Sequence, residues 1–205
     1  MHNSTARIET YSDGVFAIAI TLLILEIKVP PPESINSSHT LLHAITEHWS
    51  SWLAFLLSFF NLTIAWVNHH NAIKLICRTS PTFIFVNGFF LLTVAIIPYP
   101  TSLLAEYINS DSAHTAVLIY CLSIFLHSFA WILIFQSMIR PKDLTKDENA
   151  RKEVLKQRAN CIFGFFLYFG ICFLSYWFPW IALLLVIALY LFWIFVAVTT
   201  KVEDE

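Results

Sequence analysis

The 205 residues are 58% hydrophobic, 16% aromatic and only 13% charged, with a mean hydropathy of +0.68, which excludes an ordinary soluble domain. The net charge of −2 says little about partners, because the basic residues prove to be sorted by side. A membrane span needs roughly 20 largely apolar residues, and an all-α integral membrane protein with six of them is expected, at approximately 8–28, 50–73, 82–105, 113–139, 159–177 and 179–199. One helical membrane domain over 1–205 accounts for the whole chain.

The first span, RIETYSDGVFAIAITLLILEI, carries Asp13 inside an apolar run, lacks a basic n-region and is followed by no A-x-A site, so a cleaved signal peptide is not expected. KVPPPES closes it, and the outer segment 29–49, which has Ser, Asn and His, shows no sign of a folded domain. The second span ends in AWVNHHN, and RTSPTF opens the third. Pro98 and Pro100 near the outer end of the third predict a kink or a frayed turn. His127, in the middle of the fourth span, reads as a satisfied interior residue. RPKDLTKDENARKEVLKQR interleaves acids with bases between two spans, and is expected to be a solvated loop against lipid headgroups rather than a nucleic-acid surface. The short SYWFPW turn makes spans five and six an antiparallel hairpin, with Trp177 and Trp180 at the interface.

With the N-terminus inside, eleven of the twelve Lys and Arg residues fall on the cytoplasmic side, leaving only Lys28 outside, so both termini are expected in the cytoplasm. Cys77, Cys121, Cys161 and Cys172 form no C-x-x-C pair and read as apolar thiols. No G-x-S-x-G, Walker, G-x-G-x-x-G or H-E-x-x-H signature occurs, so neither an enzyme nor a cofactor is expected. Four glycines, Gly14, Gly88, Gly164 and Gly170, cannot build the T-V-G-Y-G filter of ordinary potassium channels.

On a helical wheel Ile18, Leu22, Leu25 and Val29 form one aliphatic stripe, with Asp13 nearly opposite, close to Glu9 and Phe16. A carboxylate facing hydrocarbon costs on the order of 2.5–3.5 kcal/mol, so Asp13 is expected to turn toward polar partners on other helices. Gly14, Ala17 and Thr21 make a flanking seam of small residues that permits close helix approach. Trp66, His69, His70 and Asn71 end the second span at the depth of Arg7, Ser12 and Asp13. A network of indole, imidazole and amide donors with an Arg7–Asp13 pair would satisfy the carboxylate. It serves either as bracing between helices or as a proton relay. His69 and His70, about 100° apart on a helix, are poorly placed to share a metal.

These residues carry a resemblance. R-x-x-x-x-S-D-G-V-F-A-I-A-I-T-L-L-I-L-E-I, with W-x-x-H-H-N in the second span and P-Y-P-T-S-L-L in the third, resembles the endolysosomal potassium channel family in its short prokaryotic form, over nearly the whole chain. The resemblance implies a single six-helix repeat, assembled as a homotetramer around an axial pore lined by the first helix, without a re-entrant filter loop. It implies a hydrophobic constriction at Ile18, further apolar rings at Leu22 and Leu25, and a selectivity role for Thr21. It also implies that Arg7, Ser12 and Asp13 brace the first helix against the second and third. Tyr11 stands where the family often has phenylalanine, a departure without expected effect on conduction.

The wheel leaves Thr21 about 60° off the stripe, free to bond a neighbouring helix or its own i−4 carbonyl instead. The function implied is a potassium-preferring channel gated by dewetting of an aliphatic ring. Its partners are potassium ions passing near Ile18 and Thr21, membrane lipid and further copies of the chain, with no nucleic acid and no fixed metal. Three rivals remain at this point: a proton-coupled transporter using Asp13 with His69 or His70, a membrane haem or redox protein using the spare histidines, and an inert structural or scaffold protein.

Overall fold

The computed structural model describes residues 4–35, 40–140 and 144–199. Helix starts follow local hydrogen-bond chemistry. Ser80 Oγ accepts from the Phe83 amide at 3.1 Å, and Pro81 at the first helical position has no N–H to leave unpaired. Asp147 accepts from the Ala150 amide at 2.7 Å, and Thr40 caps through the His43 amide. The helices are α1 (Ser4–Leu22), α2 (Leu41–Glu47), α3 (Trp49–Lys74), α4 (Pro81–Ile96), α5 (Pro98–Tyr107), α6 (Ala113–Ile139), α7 (Glu148–Ser175) and α8 (Pro179–Thr199). A 3₁₀ turn, Leu23–Glu26, extends α1. Among the described residues five stretches are long and apolar enough to cross a membrane, and Pro179–Phe195 is a shorter apolar helix.

The break expected near Pro98 and Pro100 falls at Pro98, whereas the fifth helix begins earlier than expected and the outer segment carries short helical turns. The third span is broken into α4 and α5 at Pro98, which has no amide to donate to Val94; that carbonyl takes the Ile97 N–H at 3.2 Å instead. The fifth span enters its helix at Glu148 rather than 159, so about three turns of the charged run expected as a loop are helical. Asp147 caps that extension, and Glu153 bonds Gln157 at 2.7 Å and Lys156 at 3.4 Å along its face. Hydropathy marked where the chain meets lipid, not where the helix begins. The outer segment, with no domain expected, holds a 3₁₀ turn, Pro32–Ser34, and the two-turn α2.

In lipid no hydrophobic force drives helix against helix, so packing and hydrogen bonds must do so. One buried cluster joins α1, α3, α4 and α6 through Phe16, Leu62, Phe83, Phe90 and Ile134. A second joins α3, α5, α6, α7 and α8 through Ala54, Leu104, Tyr120, Ile171 and Val186. Hydroxyls stitch the second cluster: Ser58 Oγ lies 2.6 Å from Thr101 Oγ1 and 3.3 Å from Tyr120 Oη, which is 3.4 Å from Tyr190 Oη. At the basic end, the segments leaving α3 and entering α7 pair through Cys77 N to Leu144 O at 2.9 Å and Lys146 N to Leu75 O at 3.0 Å. At the other end Lys28 pairs with Glu106, and Trp49 stacks on Trp180 at 6.0 Å. Among the described residues no disulfide forms: Cys77 is exposed, and Cys121 and Cys172 are buried.

Candidate functional site

Helix α1 has two unlike sides. Ser12, Phe16, Ala19 and Leu23 recur at i, i+4, i+7 and i+11 and are at most 3% exposed, pressed against α3 and α4. About 200° around from Phe16, Ile18 is 62% exposed, Leu22 45%, Leu25 71% and Val29 86%. The aliphatic stripe is therefore the uncovered side of a single chain, together with the small-residue seam of Gly14, Ala17 and Thr21.

Helix form sharpens the stripe. Leu25 lies in the 3₁₀ turn, where three residues make one turn, so it stands directly above Leu22 rather than about 60° away, as a continued α-helix would put it. Thr21 Oγ1 donates to Ala17 O at 2.8 Å and Ile18 O at 3.0 Å. Its one proton is thus committed to its own helix, and the exposed oxygen presents only lone pairs outward. The i−4 bond and an outward-facing acceptor coexist.

The covered side holds α1 through three separate polar contacts. Trp66 Nε1 donates to Asp13 Oδ1 at 2.9 Å. Asn87 Nδ2 donates to Ser12 Oγ at 3.1 Å, so its Oδ1 faces His69 Nε2 at 2.8 Å and that nitrogen must carry the proton. His70 Nδ1 lies 2.9 Å from Glu9 Oε1. Beneath them His69 stacks on Phe90 at 5.3 Å and 9°, and Phe16 packs on both rings at 5.7 and 6.0 Å.

Of the residues expected in this network, Ser12, Asp13, Trp66, His69 and His70 are brought to the α1–α3–α4 seam. Arg7 is exposed, and among the described residues no ion pair joins it to Asp13; the indole takes the place expected for the guanidinium. Asn71 points elsewhere, into a cavity beside α6 and α7. Sequence reasoning missed Asn87, which is 2% exposed and links α1 to α3. Its signal was available: a lone amide in the apolar run FIFVNGFFLLTV is costly in lipid unless partnered. His127 does find a partner, Thr93, at 2.8 Å. Among the described residues no group of three or more His, Cys, Asp or Glu is arranged to hold a metal.

Fold and site together define a multi-pass helical membrane protein whose first helix is clamped by polar pairs on one side and bares an aliphatic stripe on the other. The pattern of the endosomal/lysosomal potassium channel TMEM175 family matches residues 7–98. A potassium channel of Chamaesiphon minutus is 38% identical over 178 residues, covering 85% of this chain and 87% of that protein. A potassium channel of Streptomyces collinus is 42% identical over 137 residues, 66% of this chain and 63% of that one. The crystal structure of a lysosomal potassium-selective channel TMEM175 homologue from Chamaesiphon minutus superposes with a TM-score of 0.84 at 34% identity, covering 94% of this chain and 97% of that one. The chain belongs to the TMEM175 family.

Proposed function

We propose that the protein is a potassium-preferring cation channel, a homotetramer in which four α1 helices surround an axial pore and Ile18 forms its narrowest ring. The carrying observation is the two-sidedness of α1: a fully buried face fixed to α3 and α4, and an aliphatic face left uncovered. Kinship with potassium channels of the same length and fold supports the same reading. Leu22 and Leu25, stacked by the 3₁₀ turn, add apolar rings outward from Ile18. Such rings exclude ions by dewetting, since a potassium ion among aliphatic side chains loses its hydration with nothing to replace it. Thr21 supplies the exception, an oxygen with its proton already donated, able to stand in for part of the water shell. Opening requires the α1 helices to tilt or rotate until the rings widen.

The polar seam then acts as bracing. Asp13, His69 and His70 each hold a different partner, Trp66, Asn87 and Glu9, and among the described residues no hydrogen bond joins the Asp13 carboxylate to either imidazole. That separation disfavours the proton-coupled transporter. The gathering of Lys74, Arg78, Lys146, Arg151 and Arg158 at one end of the bundle supports cytoplasmic termini.

The test is ion flux through purified protein in liposomes, with potassium and then sodium gradients and no pH gradient. Passive potassium flux that exceeds sodium flux is expected. Flux that appears only with a proton gradient would restore the transporter reading.

A further inference from the structure

Helices α6 and α7 share an outward face that takes no part in holding α1. On α7, Arg151, Leu155, Arg158, Ile162, Phe166 and Phe169 recur at i, i+4, i+7, i+11, i+15 and i+18, which sets them within about 80° of one another. Two cations head the row, and exposed apolar side chains continue it, with Phe166 65% and Phe169 58% uncovered. The antiparallel α6 repeats the order, with exposed Leu126 and Phe129 running up to Gln136 and then Arg140 at the same end. The two rows adjoin: Phe125 lies 5.8 Å from Phe169, and Phe129 lies 6.0 Å from Phe165.

Both arginines are tied to neutral oxygens. Arg158 Nη1 donates to Gln136 Oε1 at 2.7 Å and Arg151 Nη1 to Ile139 O at 3.4 Å, and among the described residues neither forms an ion pair with a carboxylate. Glu153 lies about 160° around the helix from Arg151 and is engaged by Gln157 and Lys156. Glu148, exposed, stands a turn before Arg151 and farther from the apolar row. Depth follows from helix rise. From Arg158 to Trp177, expected at the far interface, the chain rises about 28 Å, close to the ~30 Å of a hydrocarbon core. Arg158 therefore stands where hydrocarbon gives way to headgroups, and Arg151 about 10 Å farther out. A helical side chain leans toward its own N-terminus, here the basic end, so Arg158 reaches into the headgroup layer.

We infer that this face binds an anionic phospholipid, its phosphate at Arg158 and Arg151 and its acyl chains along Ile162, Phe166 and Phe129. Cations without a carboxylate at the edge of hydrocarbon call for countercharge, and a guanidinium matches a phosphate with paired N–H groups. Water would solvate the arginines without neutralising them. A soluble anion would neutralise them and leave the apolar row below uncovered, whereas a phospholipid serves both parts at once. The face lies apart from the proposed pore, since none of its residues belongs to α1.

The experiment is native mass spectrometry of the purified full-length protein in detergent, titrated with dioleoylphosphatidylglycerol and separately with dioleoylphosphatidylcholine. Wild type is expected to bind the anionic lipid at least ~10-fold more tightly, with Arg158→Gln and Arg151→Gln each weakening it about fivefold, the effect of one cation at a lipid surface. Neither variant should change the choline lipid by more than about twofold. Lys156→Gln removes the same charge about 140° around α7 from Arg151 and is expected to leave both affinities unchanged. An equal concentration of glycerol 3-phosphate should not displace the lipid. Should Arg158→Gln fail to fold, Arg151→Gln decides, because the one bond it breaks is the 3.4 Å contact. Equal affinity for the two lipids, unchanged arginine variants, a Lys156→Gln loss as large as theirs, or displacement by glycerol 3-phosphate would overturn the inference. No flux is read, so failure here and failure of the pore reading remain separate results.

Discussion

Asn87→Leu removes an amide of similar volume from the seam that holds α1. Two groups lose their partner: the Ser12 hydroxyl, fully buried, and the His69 Nε2–H, 2% exposed. Each stranded buried group costs roughly 1–3 kcal/mol, so the two together give an expected loss of about 2–6 kcal/mol. Ser12→Ala, which strands only the Asn87 amide, is expected to lose about 1–2 kcal/mol. In a double-mutant cycle the pair should be non-additive by about 1 kcal/mol, because once Asn87 is gone the serine hydroxyl has no bond left to lose. The assay is unfolding free energy of the four proteins in mixed micelles. Additivity within ~0.3 kcal/mol, or an Asn87→Leu protein as stable as wild type, would refute the seam as a clamp on α1.

Further outcomes follow from the same geometry. Trp66→Phe keeps a ring but takes the donor from Asp13; with both partly exposed, a loss of about 1 kcal/mol is expected from the same unfolding measurement. Gly164→Ala places a Cβ 2.8 Å from the Trp193 ring and should destabilise the α7–α8 pair by about 1–3 kcal/mol, visible as a lowered thermal midpoint. Gly170→Ala, with nothing within 4 Å of the added carbon, should be neutral or up to ~1 kcal/mol stabilising through helix propensity; equal behaviour of the two variants would contradict the packing described. Lys28→Ala breaks a pair whose side chains are 60% and 54% exposed, and should cost under ~1 kcal/mol, shrinking further in high salt.

Much of this molecule was legible in its sequence because lipid imposes a harsh rule: apolar runs of span length must be helices, and polar groups inside them must find partners. The stripe of Ile18, Leu22 and Leu25 and its opposition to Asp13 follow from the 3.6-residue period alone. The change to 3₁₀ form at Leu23 does not, since LILE carries no breaker and the turn answers to packing and to the prolines beyond. Asp13 could be said to need a donor, but periodicity could not choose Trp66 over Arg7. That choice depends on how far α1 and α3 are rotated against each other. Asn87 was less legible, because a single amide in an apolar run carries a weaker signal than the dense polar cluster of AWVNHHN that it faces. The helical start of α7 was hidden for a different reason. Its first turns are charged and lie outside the apolar window, where capping by Asp147 rather than hydropathy sets the boundary.

If Ile18 of α1 forms the narrowest ring of a potassium-preferring pore, as proposed, replacing it must change what the pore passes. Purified wild type and Ile18→Asn are reconstituted into liposomes at matched oligomeric state, and potassium and sodium permeabilities are compared. Passive flux is expected in both, with potassium preferred by the wild type and the preference altered in the variant, where an amide ring replaces the aliphatic one. Identical permeability ratios and conductance in the two proteins would place the constriction elsewhere and remove Ile18 from the pore.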